Sequence, residues 1–192
     1  LNIIQPQVKF QTAQNFFSQP TKIALKKSPS LSAAEIRYSL DGSKPDGQSP
    51  IYEQPLKIDK TTLIRAALFT DGARVSPVAS RTVFINSPHQ LPIFSLYTEP
   101  DNLWNDETGI YTTGNDTNYE KRGQEWERPA EFEYFVDQKL AYSDATGLRI
   151  HGGGSRELPQ KSLRLLADHH DERNRFTYPF FGEETSLPSY KS

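Results

Sequence analysis

The most distinctive chemistry of the chain lies in His151-Gly152-Gly153-Gly154-Ser155-Arg156-Glu157-Leu158-Pro159-Gln160-Lys161. Three successive glycines after an apolar stretch expose backbone N–H groups and let a ligand come close. Ser155 adds a hydroxyl donor, and Arg156 and Lys161 add positive charge, so the segment has the parts of an anion-binding nest. Phosphate is the ligand that suits it. The spacing is neither the P-loop pattern G-x-x-x-x-G-K-[ST] nor the dinucleotide turn G-x-G-x-x-G. A flexible hairpin carrying a surface Arg and Lys is the plainer reading of the same residues.

Other groupings also carry residue types that could do chemistry. Asp168-His169-His170-Asp171-Glu172 has the residue types of a metal site, but equally those of a solvated turn before Arg173. Glu125, Glu127, Glu131 and Glu133 are close carboxylates of the kind glycosidases pair, although a wet strand edge explains them as well. Ser155 and His151 share one loop without an orienting acid or a nucleophile elbow, which argues against a hydrolase. Trp104, Trp126, Tyr111 and Tyr119 could stack on sugar rings or pack a core.

These residues need a framework, and the composition supplies one. The chain has 192 residues, 35% hydrophobic and 24% charged, enough to bury a core and too apolar for a disordered tail. Its formal charge of −2 argues against bulk binding of nucleic acid. No uncharged stretch has the roughly 18 to 20 apolar residues of a membrane span. With no cysteine, disulfides, thiol nucleophiles and Cys-ligated metals are excluded. With no methionine, the chain is expected to be a mature or excised piece of a longer product.

Charge divides the sequence: residues 1–86 carry net +5 and residues 87–192 net −7. Asn86-Ser87-Pro88-His89-Gln90 between them reads as a linker. In the first part, Ile36, Tyr38 and Leu40 alternate with polar neighbours, Thr61–Thr70 alternates again, and Asp71-Gly72 predicts a tight hairpin. Short strands at this spacing predict a small antiparallel sandwich over 1–86. The second part is mixed. Strands are expected at Leu91–Tyr97, Arg128–Val136, Gly147–His151 and Lys161–Leu166, with a helical turn over Glu99–Trp104 and a polar excursion over Asn115–Trp126.

The segment IRYSLDGSKPDGQSPIYEQPLKIDKTTLIRAALFTDGARVSPVA (Ile36 to Ala79) resembles the chitobiase/β-hexosaminidase C-terminal, Fn3-associated modules. The shared points are D-G-S-x-P, a tyrosine after S-P, T-T-x-I-R-A and a closing D-G. The resemblance implies an immunoglobulin-like β-sandwich accessory module in a secreted protein, without catalysis. Its Tyr38, Tyr52 and Phe69 could stack on sugar, though they alternate as core residues do.

The second part, through LPIFSLYTEPDNLWNDETGIY, WERPAEFEYF, GLRIHGGGSRELPQKSLRLLAD and FTYPFFG, resembles the start of the spore-coat CotH kinase family. That resemblance implies an atypical kinase fold, mainly β with some α, transferring phosphate from ATP to Ser or Thr with Mg²⁺. Carried onto this chain, it makes Gly152, Gly153, Gly154 and Ser155 the glycine/serine loop and turns Arg156 and Lys161 toward nucleotide phosphates. Ser162 and Arg164 match the strand that follows. The family's metal-holding and catalytic residues are expected beyond Ser192, so residues 91–192 are expected to be a truncated kinase-like domain, inactive alone. The expected partners are a protein substrate or a surface polysaccharide. The expected location is the outside, surface or periplasm of a bacterium. The rival expectation is a non-catalytic surface-assembly or carbohydrate-binding protein.

Overall fold

A computed structural model describes residues 7–28, 33–88, 90–167 and 175–181. The Asp168–Glu172 cluster and His89 of the linker lie outside the described residues. The chain divides into two compact units, Leu1–Pro92 with Val136–Leu140 and Ile93–Phe135 with Ala141–Ser192.

The first unit is built from β1 (Val8–Phe10), β2 (Phe16–Phe17), β3 (Thr21–Ile23), β4 (Leu25–Lys27), β5 (Glu35–Ser39), β6 (Leu56–Ile58), β7 (Thr62–Thr70), β8 (Ala73–Arg74) and β9 (Ala79–Ile85). The main sheet runs β2-β9-β7-β5, with β8 paired to β7. The pairs β1-β4 and β3-β6 form two small sheets. Val8, Ile23, Leu25, Ile36, Ile58, Ile64, Leu68 and Val83 come from all three sheets into one aliphatic core, which makes the unit a sandwich. Burying each such side chain contributes about 1.5–3 kcal/mol. Asp71 and Gly72 both take positive φ, 50° and 75°, and pair Thr70 with Ala73, the tight hairpin read from the sequence.

The repeated phrases of this unit have structural work. Asp41 Oδ1 accepts the amide and hydroxyl of Ser43 at 3.0 and 2.6 Å, which closes the turn. Gly42, at φ +93°, turns its carbonyl onto Arg65 Nη1 at 3.0 Å. Arg65 is therefore buried beneath the turn rather than lying across a sheet face, with only 1% of its surface exposed. The hydroxyl of Tyr52 accepts the Leu25 amide at 3.0 Å and so joins the loop to β4. Phe69 is buried, and Tyr38 and Tyr52 pack against the core.

The second unit is a four-stranded antiparallel sheet in the order β10 (Ile93–Tyr97), β11 (Arg128–Val136), β12 (Lys139–His151), β13 (Ser162–Ala167). The helical turn α1 (Pro100–Trp104) begins with proline at its first position, where a missing N–H costs nothing. The strand expected at Gly147–His151 is the end of a much longer one. Residues 139–146 lack alternating apolar residues because most are exposed, yet Asp137 and Gln138 at φ 49° and 60° fold the hairpin back and pair them. Leu148 and Ile150 point with Ile110 and Ala130 into a small core. Phe132, Tyr134 and Tyr142 meet Phe176, Tyr178 and Phe180 in an aromatic cluster. The whole is mostly β with little helix.

Candidate functional site

The loop between β12 and β13 begins where β12 ends at His151. Gly152 is the glycine the backbone demands. It sits at φ +106°, and an added Cβ would collide with Ser155 Oγ. An added Cβ at Gly153 or Gly154 would meet open space. The chain then closes into a 3-10 turn, Gly154–Glu157, that carries Arg156 inward.

Arg156 is only 6% exposed. Its Nε donates to Gly152 O at 2.7 Å and its Nη2 to Ile150 O at 2.6 Å. Its Nη1 donates to Tyr119 O at 2.8 Å and Lys121 O at 3.0 Å. The planar fork suits this task, since one side chain joins the start of the loop to the distant excursion at 119–121. Burial pushes the Arg156 guanidinium below its ordinary value; the charge of Arg122 adds to the push and Glu120 opposes it.

Lys161 closes the other end of the loop. Its ammonium donates to Arg156 O at 2.8 Å and Leu158 O at 3.0 Å, and stands 4.1 Å from the centre of the Tyr119 ring. Tyr111 reinforces it: its hydroxyl accepts the Lys161 amide at 2.9 Å and donates to Pro159 O at 3.3 Å. The sequence turned Arg156 and Lys161 toward phosphates. The structure places both charged heads on backbone carbonyls, at the two ends of the glycine loop.

Beside the loop opens a cleft of about 410 Å³ lined by six basic side chains: Lys121, Arg122, Arg149, His151, Arg156 and Arg164. Two of them carry their own counter-charge. Lys121 pairs with Asp116. Arg149 meets Glu127 Oε2 at 2.9 Å through Nη2 and 3.0 Å through Nε. Gly147 makes room for that carboxylate, because a Cβ there would overlap Glu127. Arg128 fixes the approach of the Glu127 segment by donating to Glu125 O and Glu127 O, both at 2.9 Å. Among the described residues no carboxylate lines this cleft; Glu120 and Glu157 line an adjoining one of about 300 Å³. The arrangement can hold an anion, since Arg122 and Arg164 bring charge to the cleft that no ion pair among the described residues takes up.

The sequence signalled part of this. Arg149 and His151 alternate with Leu148 and Ile150, so their outward placement was readable. Arg122 had no local signal, because its excursion reaches the cleft only through the grip of Arg156. Of the other groupings, Glu127 is an ion-pair partner, Trp104 packs edge-on to Tyr111 at 5.2 Å while 57% exposed, and Trp126 packs against the small core. Among the described residues, no group of three or more His, Asp or Glu is placed to hold a metal ion. No helix among them is long and apolar enough to cross a membrane.

In comparison with known families, residues 23–83 fit the family described as Fn3 associated. The match spans about a third of the chain and encloses the Ile36–Ala79 segment. No curated protein matches the chain.

Proposed function

We propose that the Fn3-associated module of the first unit is a domain of accessory type. We propose that the chain belongs to a bacterial surface protein of the CotH kind and that its second unit is the phosphate-binding part of an ATP- and Mg²⁺-dependent protein kinase. The observation that carries this reading is the basic cleft beside Gly152–Ser155, with Arg156 and Lys161 holding the loop in shape. In phosphoryl transfer the protein's main tasks are positioning and charge neutralisation, and a basic cleft beside a glycine loop is suited to both. Bound ATP would supply the transferable phosphoryl group. Gly152, Gly153, Gly154 and Ser155 would lie along its phosphates, and the cleft would neutralise their charge.

The test is ATP-dependent phosphate labelling by the full-length protein that carries this chain. Lys161→Ala should abolish labelling, because the loop loses a tie to two of its carbonyls. Labelling at the unaltered rate would contradict the reading.

A second reading, carbohydrate binding by the accessory module, is favoured by a cleft of about 590 Å³ in the first unit. Tyr38, Leu40 and Ile51 form its apolar side, and Glu53, Gln54 and Lys57 its polar side. A glycan array probed with the chain tests it, and Tyr38→Ala should remove any signal.

A further inference from the structure

The six basic side chains of the second unit's cleft are not equivalent, and their partners divide them. Lys121 and Arg149 are neutralised by Asp116 and Glu127. Arg156 has four of its N–H bonds committed to carbonyls. Arg122 is exposed and makes one contact at the outer limit of a hydrogen bond, 3.5 Å from Nη2 to Gly152 O. Arg164 is exposed and has no partner among the described residues. It also stands directly across from Arg149 in the β12–β13 register. Like charges opposite one another destabilise a strand pair. Glu127 relieves Arg149, so the charge left over is that of Arg164.

We infer that Arg122 and Arg164 make the direct contacts to a di- or triphosphate chain in this cleft, while Arg156 and Lys161 are positioning residues that hold the glycine loop beside it. The inference rests on the phosphate-binding reading and deepens it. Two exposed guanidinium groups from different elements, one on the 119–123 excursion and one on β13, face one space. Each keeps its planar fork available for bidentate contact with phosphate oxygens, which a lysine could not offer. Arg156 brings the two elements together, so it sets the distance between the contacts without making one.

The experiment measures the affinity of the 192-residue chain for inorganic tripolyphosphate and for ATP by titration calorimetry, across a range of NaCl. Arg122→Gln and Arg164→Gln should each weaken both ligands about tenfold, and the pair together about a hundredfold. Both should flatten the salt dependence without lowering the melting temperature, since neither side chain supports the fold and Arg164 faces the like charge of Arg149. Arg156→Lys keeps the charge, so it should lower the melting temperature and the affinity but leave the salt dependence of the residual binding intact. Wild-type affinity in the double variant would overturn this assignment and leave the phosphate-binding reading standing. Failure of the unaltered chain to bind either ligand would overturn both.

Discussion

Both units bury an arginine against a loop, Arg65 on Gly42 O in the first and Arg156 on four carbonyls in the second. They differ in the other polar groups they bury. In the first, Asn15 donates to Thr82 O at 2.8 Å, and Ser76 accepts the Leu68 amide at 2.9 Å. These bonds fasten strands and edges around an aliphatic core. In the second, Asn118 donates to Asp106 O at 2.9 Å, and Arg156 gathers four carbonyls. Those bonds shape loops, above a small core around Ile110, Ala130, Leu148 and Ile150. A buried charge is costly unless well bonded, and it serves mainly to specify a conformation. On the phosphate-binding proposal, the second unit carries the site and the first is its support.

The comparison can be broken most forcefully in the sandwich. Ile64 is fully buried, and Ile64→Ala should destabilise the first unit by about 2–5 kcal/mol, read from urea unfolding. Tripolyphosphate binding below the transition should survive; a matching loss of binding would end the division of labour. Next in size, Arg156→Met leaves four carbonyls without their donor and should cost about 2–4 kcal/mol in the same experiment. It should also expose the amides of Gly152–Ser155 to faster hydrogen exchange. Gly152→Ala forces a side chain onto φ +106° and should cost about 1–2 kcal/mol, whereas Gly153→Ala and Gly154→Ala, which meet open space, should cost less.

The smallest effect belongs to a turn of the first unit. The Ser43 hydroxyl, then its amide, holds the Asp41 carboxyl below the ordinary value of 3.8. A depressed value in the folded state means stability that is present above the unfolded value and lost as pH falls through the folded one. Melting temperatures of the chain should therefore decline slightly more below about pH 4 than those of Asp41→Asn, which lacks that titration. Equal declines would show that Asp41 does not hold the turn.

The sandwich was legible for physical reasons. Ile36 and Tyr38 alternate at the strand period, and Asp71-Gly72 can take the positive φ that a tight hairpin needs. Arg65 was not legible as a buried residue, because its partner, the Gly42 carbonyl, lies 23 positions away. In the second unit the glycine loop stood out by composition, yet the roles of its cations did not. Arg156 and Lys161 look like ligand contacts when only neighbours in sequence are counted. Two of the carbonyls that Arg156 holds, those of Tyr119 and Lys121, and the Tyr119 ring beside the Lys161 ammonium are brought in from some 35 to 42 positions away. The first part of β12 gave no period-2 pattern, because most of its side chains are exposed and its pairing comes from the hairpin turn.

The central claim is that the glycine loop and its basic cleft bind a phosphate chain while the sandwich takes no part. Amide chemical shifts of the isotopically labelled 192-residue chain, followed while ATP is added, test it directly. The account predicts saturable shifts in Gly152–Ser155, in residues 121–123 and around Arg164, with the amides of β5, β7 and β9 unmoved. Shifts centred on the sandwich strands, or none at millimolar ATP, would contradict it.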